Sequence, residues 1–535
     1  LHSTGLLMPV GDFTRIGGGG GFWGDQVFAP IDLLVGEELD YLTMDYLAEV
    51  TMSIMAKQKA RDESRGWATD LMDWLRAGGI SLLHEKRTRL VTNAGGANPL
   101  ACAEAVLALA CEIGWNECRI AMINGDDVLP LVEDVLSGGS LVDHMGTGQP
   151  LSEVAEELVS ANAYVGSGAI ARALENGADI VVTGRVADAS LIVGCMLHSE
   201  GWAKHALAEG MEIFTPVSEW APKGVKKPLD VLAGWTLAGH LIECGAQVSG
   251  GNSSDWEIIP DLAELGYPIA EINSDGRCII TKSDGTGGKV SRRTVAEQLL
   301  YEIGDPQAYM TPDVVVDLSN TTLKEVSKDR VLVSKTKGKP APPTLKVSAS
   351  HRDGWFAASD LVIPGPDAIG RAEKADSILR DRLSDLSGLE IFTEYFGAGA
   401  SLPIGLAHLK KEPSEILIRW AAKSPMRSEI IEFTRAIAPL VLTGPAGVAG
   451  YSARMRPREQ LRFFPFLLER ELVELRVTIT MMQTLRTRLQ EMDPLIETVL
   501  TRIQKIADGE PEGLWRRRVA RRVMKRLQKP TTTGK

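Results

Sequence analysis

The first half of the chain repeats one pattern, in which a short apolar run ends in a polar turn and an amphipathic segment follows. The runs begin at Leu39, Arg89, Cys118 and Ala178 and read LDYLTMD, RLVTNAGGANP, CRIAMINGDD and ADIVVTGRVADAS. Strand-length runs that alternate with helical segments are typical of a parallel sheet with helices on both faces. We therefore predict a mostly parallel, Rossmann-like α/β sheet in a glycine-loop domain over residues 1–265.

The rest of the chain lacks this regular alternation, and its sequence predicts a second domain and a helical tail. Stretches such as RCIITK and PDVVVDL, a helical period over Ala368–Leu386 and a late strand in Glu471–Thr480 predict an α+β domain over residues 266–480 that completes the site. Residues 481–535 have a helical period and include the basic run LWRRRVARRVMKRLQKP. This basic helical tail is expected to dock on an acidic surface, fold back on the protein or lie on anionic lipid.

Composition favours a cytoplasmic enzyme with a small-molecule substrate. The chain has 535 residues, 44% of them hydrophobic, and a formal net charge of -12, which argues against a nucleic-acid partner. No apolar run reaches the roughly 18 residues of a transmembrane helix. The six cysteines form no C-x-x-C pair and are expected to be reduced. A homo-oligomer is compatible with these features.

The stretch RIGGGGGFWGDQ, which begins at residue 15, has the G-x-G-x-x-G spacing of a dinucleotide-binding turn, and Asp45 follows about twenty positions later. Trp23 is bulky for such a turn, and Asp25 would repel a phosphate. We predict instead a turn that faces substrate or metal. In this interpretation Gly20 and Gly21 bring the backbone close, Trp23 forms an apolar wall and Asp25 binds a cation or a donor group.

Polar residues follow the predicted parallel strands, and the carboxyl ends of such strands meet at one edge of the sheet, where ligands bind. The residues expected at that edge are Asp45, Asn93, Gly95, Gly96, Asn98, Asp126, Asp127, Arg185 and Asp188. Arg185 and Asn93 are expected to hold a carboxylate or carbonyl group. Carboxylates of this kind suit Mg²⁺, but aspartates also form turns and helix N-caps.

Two further segments could contribute to a site. The stretch SGGN supplies Gly250, Gly251 and Asn252, whose backbone N–H groups could bind an anion. In LDVLAGWTLAGHLIECG, His240, Glu243 and Cys244 stand at i, i+3 and i+4 and share one helix face. A histidine beside a carboxylate can transfer protons, and Cys244 could be a nucleophile. The alternative is a structural hydrogen bond between His240 and Glu243, with Cys244 as a small buried apolar side chain.

Ten motifs in order resemble the acyclic terpene utilisation (AtuA-type) family. They are RIGGGGGFWGD, LDYLTMDYLAEVTM, VTNAGGANP, INGDD, VVTGRVADASL, AGHLIECGAQVSGGN, YPIAEI, KSDGTGGKVS, AEQLLYEIGDPQAYMTPDVVVD and GPAGVAG. The resemblance implies a role in the breakdown of citronellol- and geraniol-type acids through coenzyme A thioesters. The chain departs from bacterial members because no Gly-Asp-Lys-Gly loop of a C-terminal ferredoxin-like domain follows Thr480.

These observations predict an enzyme that acts on a small acyl or carboxylate compound, of isoprenoid or polyketide type, by lyase or hydratase chemistry. The expected catalytic residues are His240, Glu243, Asp25, Asp45 and Asp188. No cofactor is certain; Mg²⁺, or coenzyme A as part of the substrate, stays open. The alternatives are a nucleotide-dependent oxidoreductase and a non-catalytic subunit of a carboxylase or synthase assembly.

Overall fold

A computed structural model describes residues 13–138, 142–402, 413–450 and 453–480. The predicted basic tail, residues 481–535, lies outside the described residues. The chain divides into two compact units. The larger unit comprises the described residues of Leu1–Ser152, Ser160–Ala349 and Pro465–Lys535, and the smaller unit comprises those of Glu153–Val159 and Ser350–Phe464.

All four strands predicted for the first half of the chain are present as β2, β3, β4 and β6. The described strands are β1 (Thr14–Gly18), β2 (Tyr41–Met44), β3 (Arg89–Thr92), β4 (Ile120–Asn124), β5 (Leu158–Ala163), β6 (Ile180–Thr183), β7 (Pro268–Ile272), β8 (Cys278–Lys282), β9 (Tyr309–Met310), β10 (Val315–Asp317), β11 (Thr322–Ser327), β12 (Arg330–Ser334), β13 (Lys337–Lys339), β14 (Thr344–Pro364), β15 (Glu390–Phe396), β16 (Glu415–Ser424), β17 (Arg458–Glu469) and β18 (Arg476–Thr480).

The α-helices alternate with these strands through the first half of the chain. The described α-helices are α1 (Ala29–Gly36), α2 (Glu49–Arg61), α3 (Leu71–Trp74), α4 (Ile80–Lys86), α5 (Pro99–Glu112), α6 (Val132–Ser137), α7 (Gly168–Glu175), α8 (Ser190–Ser199), α9 (Trp202–Ala208), α10 (Pro228–Glu243), α11 (Arg292–Leu300), α12 (Ala368–Arg382), α13 (Arg427–Ile437) and α14 (Leu440–Thr443).

The main sheet of the larger unit has ten strands in the order β11-β12-β8-β7-β1-β2-β3-β6-β4-β18. Its five central strands, β1, β2, β3, β6 and β4, pair in parallel. The flanking strands pair antiparallel with their neighbours. The prediction of a Rossmann-like parallel sheet is therefore correct for the centre and wrong for the flanks, which make this a large mixed sheet.

Helices cover both faces of the parallel centre, as expected. Alternate strand residues such as Leu42, Leu90 and Ile180 pack in one apolar cluster with side chains of α1, α4 and α5. The intervening residues Val91 and Val181 are also buried, but they are not part of that cluster. The helices α7 and α8 contact the same strands. Because successive strand side chains point to opposite faces, the two sets of helices lie on opposite sides of the sheet.

The boundary predicted at residue 265 does not coincide with a boundary between the two units. β7, β8, β11 and β12 all follow this point in the chain, yet they extend the main sheet from β1 outwards, with Gly17 opposite Ile269. β18 likewise returns to the far edge beside β4. An antiparallel strand can satisfy the open hydrogen-bonding edge of a parallel sheet, so a β-rich segment need not form a domain of its own.

The smaller unit has its own core and a recognisable topology. Its main elements run β14-α12-β15-β16-α13-β17 along the chain, with the single-turn α14 directly after α13, and its sheet order is β15-β16-β14-β17. This is the βαββαβ arrangement of ferredoxin-like folds. Trp420 on β16 and Phe433 on α13 are buried in its core. The smaller unit therefore has a ferredoxin-like topology, and most of the helix predicted over residues 368–386 is present as α12.

The described residues contain no candidate membrane span and no disulfide. None of their helices is both long and apolar enough to cross a membrane. All six cysteines carry free thiols, as expected from their scattered spacing.

Candidate active site

The carboxyl ends of β2 and β6 and the C-terminal end of α10 bring five predicted site residues together. These residues, which we call the strand-end cluster, are Asp45, Arg185, Asp188, His240 and Glu243. Burial, and next the charge of Asp188, raise the pKa of Asp45 well above its ordinary value, while Arg185 opposes this. The charge of Asp188 also acts on Glu243. Residues from three distant parts of the chain therefore share one electrostatic environment.

Helix α10 reaches this edge because it is apolar all round and carries small residues where neighbours come close. Its residues from Val231 to Ile242 are all buried. A Cβ atom on Gly239 would lie 2.7 Å from the carbonyl oxygen of Ala189, just before α8. A Cβ on Gly234 would lie 2.0 Å from the carbonyl oxygen of Gly276. A side chain at Gly239 would push α10 away from the start of α8, and one at Gly234 would push it away from the β7–β8 turn.

His240 and Glu243 form a hydrogen-bonded pair that is almost completely buried. The Nδ1 atom of His240 lies 2.8 Å from Oε1 of Glu243, and their side chains are 3% and 11% exposed. The second polar atom of each side chain, Nε2 of His240 and Oε2 of Glu243, is buried without a hydrogen-bond partner among the described residues. Unsatisfied buried polar atoms are costly, so these two mark a position where a ligand would gain hydrogen bonds.

The protonation of this pair is shifted by its surroundings. Burial raises the pKa of Glu243 to about 7, and the neighbouring His240 opposes that rise. Burial alone would lower the pKa of His240, but the charge and hydrogen bond of Glu243, followed by the backbone of Gln298 and Leu299, outweigh it and raise that pKa. The pair can therefore gain or lose a proton near neutral pH, which is where a proton-transfer group works best.

Arg185 is the counter-charge of the cluster. Its guanidinium is buried and donates to the carbonyl oxygens of Leu47 at 2.7 Å and Val186 at 2.7 Å, and to the carboxylate of Asp188. It also lies 4.2 Å from the centre of the Tyr164 ring. These contacts fix the position of the Arg185 guanidinium beside the carboxylate of Asp188. Its predicted role in binding a substrate carboxylate stays a prediction.

Asn93 positions Asp45. Its side-chain Nδ2 donates to Oδ1 of Asp45 at 2.7 Å, and its Oδ1 accepts the backbone N–H of Tyr46 at 2.8 Å. The backbone N–H of Asp45 donates to the carbonyl oxygen of Gly20 at 3.0 Å, which ties β2 to the glycine loop. Asn93 therefore acts on Asp45 and on the backbone beside it.

Asp126 joins the ends of neighbouring strands. Its Oδ2 accepts the side-chain amide of Asn162 and the backbone N–H of Arg185, each at 2.9 Å. Burial raises the pKa of Asp126 to about 6. A Cβ on Gly184 would lie 2.3 Å from Oδ1 of Asp126, so only glycine fits beside this carboxyl group. Asp126 thereby fixes the backbone that carries Arg185.

Several other predicted residues hold turns, as the alternative interpretation expected. The N–H of Leu129 donates to Asp127. Asn98 caps the N-terminus of α5, and its Nδ2 donates to the carbonyl oxygens of Glu63 and Arg65 at 2.7 and 2.8 Å.

Gly95 and Gly96 are packed against protein atoms rather than facing an open site. A Cβ on Gly95 would lie 2.5 Å from the carbonyl oxygen of Thr183, and one on Gly96 would lie 2.2 Å from Sδ of Met55.

The five consecutive glycines that follow Ile16 serve close packing. The N–H of Gly19 donates to the carbonyl oxygen of Thr43 at 2.8 Å, and the N–H of Gly21 donates to Oδ2 of Asp25 at 2.9 Å. The hydroxyl of Tyr267 donates to the other oxygen of Asp25. These donors and this carboxylate close the loop on itself, so neither N–H is free for a pyrophosphate. The expectation that the loop is no dinucleotide turn stays a prediction.

The loop packs against the end of α10, which gives a testable consequence. A Cβ on Gly21 would lie 2.7 Å from the backbone carbonyl carbon of Cys244. We therefore expect Gly21→Ala to destabilise the protein by about 1–3 kcal/mol, as overpacking does. Gly304→Ala is the matched control, because no atom lies within 4 Å of its Cβ position. Urea unfolding of both variants tests this, and equal stabilities would contradict the packing role.

Beside the loop lies a pocket of about 270 Å³ that the end of α10 also reaches. Its lining includes the predicted residues Asp25, Gly251 and Asn252, together with Cys244 and the exposed Phe22. The predicted apolar wall, Trp23, instead packs against the core of the main sheet. The neighbouring Phe22 is therefore the aromatic side chain of the loop that faces the pocket.

The remaining predicted residues near this pocket have conformational or buried roles. Gly250 adopts a φ of 109°, which favours glycine, and a Cβ there would lie 2.7 Å from Ile259. Burial, and next the charge of Glu243, raise the pKa of the Cys244 thiol. Cys244 is therefore held as a thiol, which disfavours the nucleophilic role considered for it.

The chain matches one protein family over most of its length. The family described as "Acyclic terpene utilisation family protein AtuA" matches residues 14–212 and 219–479. The chain belongs to this family. No curated protein and no solved structure matches the chain. The family match covers every member of the strand-end cluster and both units of the fold.

Several side chains around the cluster were not predicted as site residues. The ring of Tyr309 on β9 lies 5.4 Å from the ring of His240. Gln298 on α11 is buried, and its Nε2 donates to the carbonyl oxygen of His240 at 3.0 Å while its Oε1 has no partner among the described residues. On the outer side, Glu49 accepts from Tyr164 at 2.9 Å and from Lys346 at 3.0 Å. Tyr309 and Gln298 lie in the same one of the ten motifs, and Glu49 lies in another, so membership of these motifs was the available signal for all three.

The described residues give no support for a metal site. Across residues 13–138, 142–402, 413–450 and 453–480, no three His, Cys, Asp or Glu side chains are grouped to hold a metal ion. The Mg²⁺ hypothesis therefore stays a prediction.

Proposed function

We propose that this member of the acyclic terpene utilisation family is an enzyme that moves a proton beside the carbonyl group of a small acyl compound. The substrate class is an isoprenoid or polyketide-like acid, presented as its coenzyme A thioester, and the reaction is of lyase or hydratase type. The observation that carries this proposal is the buried His240–Glu243 pair. Each partner has an unsatisfied polar atom, and the pKa of Glu243 is raised by burial to about 7.

In the proposed reaction Glu243 is the base. Its Oε2 atom takes the proton from the carbon next to the carbonyl, and the electron pair of that C–H bond moves onto the carbonyl oxygen. The Nε2–H of His240 donates to this oxygen while Nδ1–H holds Glu243, so one pair both removes the proton and stabilises the enolate. Such stabilisation is strong because the pair is buried and the hydrogen bond to Glu243 fixes the donor beforehand.

Elimination of water also needs a proton donor for the departing hydroxyl group. Asp45 is the candidate acid, because burial and the charge of Asp188 favour its protonated form. The hydroxyl group leaves as water with the proton of Asp45, and the carbonyl-conjugated double bond forms as the enolate collapses. Hydration is the reverse of these steps, so the same residues serve a lyase and a hydratase.

The hydrocarbon part of the substrate is assigned to the pocket beside the glycine loop. Phe22, Phe28, Leu265 and Tyr267 form its apolar side, whereas Asp25, Asp32 and Glu264 also line it. The pocket adjoins Cys244, the residue after Glu243. Its volume of about 270 Å³ is near the lower end of typical ligand pockets, which suits a short branched chain. A homo-oligomer, a cytoplasmic location and a docking role of the tail stay predictions.

The proposal is tested by hydrogen exchange at carbon. The full chain is incubated in D₂O with branched acyl coenzyme A thioesters and with the free acids, and mass spectrometry and NMR follow deuterium at the position beside the carbonyl. We expect enzyme-dependent uptake of one deuteron per exchangeable position. No uptake with any substrate, together with a stable co-purifying partner, would favour the non-catalytic subunit. A bound nicotinamide that absorbs near 340 nm on reduction would favour the oxidoreductase.

A further inference from the structure

A second concave site lies in the larger unit, away from the strand-end cluster. Three loops surround a pocket of about 670 Å³: the segment before α10, the β7–β8 turn and the loop between β12 and β13. Six basic side chains line it, against two acidic ones. The basic residues are Lys223, Lys226, Lys227, Arg277, Lys335 and Lys337, and the acidic residues are Asp230 and Asp275.

The positive charge of this pocket is opposite in sign to the net charge of the chain. The chain has a formal net charge of -12, yet this pocket has a formal excess of four positive charges. Like charges that line one concavity repel each other, and the energy falls when an anion enters. The two acidic side chains balance only two of the six basic ones, because Asp230 pairs with Lys337 at 2.8 Å and Asp275 pairs with Arg277 at 2.7 Å.

Three of the lysines are left for a ligand. Lys223, Lys226 and Lys335 are exposed, and no hydrogen bond or ion pair engages their side chains within the described ranges. Lys335 adopts a φ of 67°, and Lys227 at the start of α10 adopts a φ of 55°. A non-glycine residue rarely adopts this conformation, and here it occurs twice in the loops that carry the basic side chains.

The chain geometry adds a second source of positive potential. α10 is 16 residues long, and its N-cap, Lys227, lies in the pocket lining without a side-chain cap hydrogen bond. The partial positive charge of a helix N-terminus favours anions. Asp230 in the first turn of α10 offsets part of this partial charge. The basic side chains are therefore the main source of positive potential in the pocket, and the helix N-terminus adds to it.

We propose that this pocket, which we call the basic pocket, binds a small polyanion that carries two linked phosphate groups. A diphosphate has enough charge to engage three free lysines, and a volume of about 670 Å³ also holds a group attached to it. An extended polyanion is disfavoured because the excess charge is confined to three loops of an acidic protein. This site is independent of the proposed proton transfer, since it lies at the opposite end of α10 from Glu243.

The test is calorimetric titration of the full chain with inorganic diphosphate and with inorganic phosphate at low salt. We expect diphosphate to bind at one site per chain and more tightly than phosphate. The double variant Lys226→Glu with Lys335→Glu should weaken diphosphate binding by at least about tenfold, since two charge-assisted contacts become repulsive. The matched control is Lys324→Glu with Lys328→Glu, which reverses two exposed charges on the β11–β12 hairpin and should bind as the wild type does.

Three outcomes would overturn the proposal that the basic pocket binds a diphosphate group. Wild-type protein could fail to bind diphosphate at millimolar concentration, or the control could lose as much affinity as the pocket variant. A DNA or RNA oligonucleotide could also bind more tightly than diphosphate and lose affinity in the same variant. Melting temperatures, and the pair Lys226→Ala with Lys335→Ala, distinguish a lost site from a damaged fold.

Discussion

Glu243→Gln should lower the rate of deuterium exchange and of turnover by about 100-fold or more, the usual contribution of a positioned base. Glutamine keeps the shape of glutamate and can still accept the hydrogen bond of His240, but it cannot take a proton. Because the pKa of Glu243 is raised to about 7, the wild-type rate should climb as pH rises towards that value and then level off. The variant should lose this climb, which initial rates from about pH 5 to pH 9 would measure.

The control for this variant is Glu200→Gln. Burial raises the pKa of Glu200 as well, but Glu200 follows α8 and lies outside the strand-end cluster. Its replacement should leave rate and pH profile unchanged. A folded Glu243→Gln protein that retains most of its activity, or that keeps the rise towards pH 7, would show that another group is the base. Such a result would leave the basic pocket untouched.

Arg185→Met should destabilise the fold by about 2–4 kcal/mol, less than the full cost of breaking a buried ion pair because the Asp188 side chain is 36% exposed. The substitution leaves the carbonyl oxygens of Leu47 and Val186 without their donor, and it leaves Asp188 beside Asp45 without a counter-charge. Urea unfolding measures the loss. Arg61→Met is the matched control, because Arg61 is exposed at the end of α2 and its replacement should change stability by less than about 0.5 kcal/mol.

A second substitution separates charge from packing in this prediction. If the cost of Arg185→Met arises mainly from uncompensated carboxylates, adding Asp188→Asn should restore part of the lost stability. Asp188→Asn in the wild-type background should instead be destabilising, since it removes a partner of Arg185. No recovery in the double variant would mean that the lost hydrogen bonds and packing, rather than charge, account for the effect.

The sequence by itself determined the central strands of the main sheet and the helix face that carries His240 and Glu243. The apolar runs before Asp45, Asn93, Asp126 and Arg185 predict β2, β3, β4 and β6, because strand length and bounding polar turns are local properties. The i, i+3 spacing predicts that His240 and Glu243 share a helix face, and they form a hydrogen bond of 2.8 Å. Helix caps such as Asn98 follow the same logic.

Only the tertiary structure decided which distant segments meet. Antiparallel β7 and β18 join opposite sides of the parallel strands, and no local pattern specifies a partner strand so far along the chain. The glycines of the loop suggested ligand contact, whereas Gly21 is required because the backbone of Cys244 leaves no room for a Cβ. Tyr309 and Gln298 reach His240 from β9 and α11. Burial and the proximity of charges create the shifted pKa of Glu243, and both exist only after these segments have packed together.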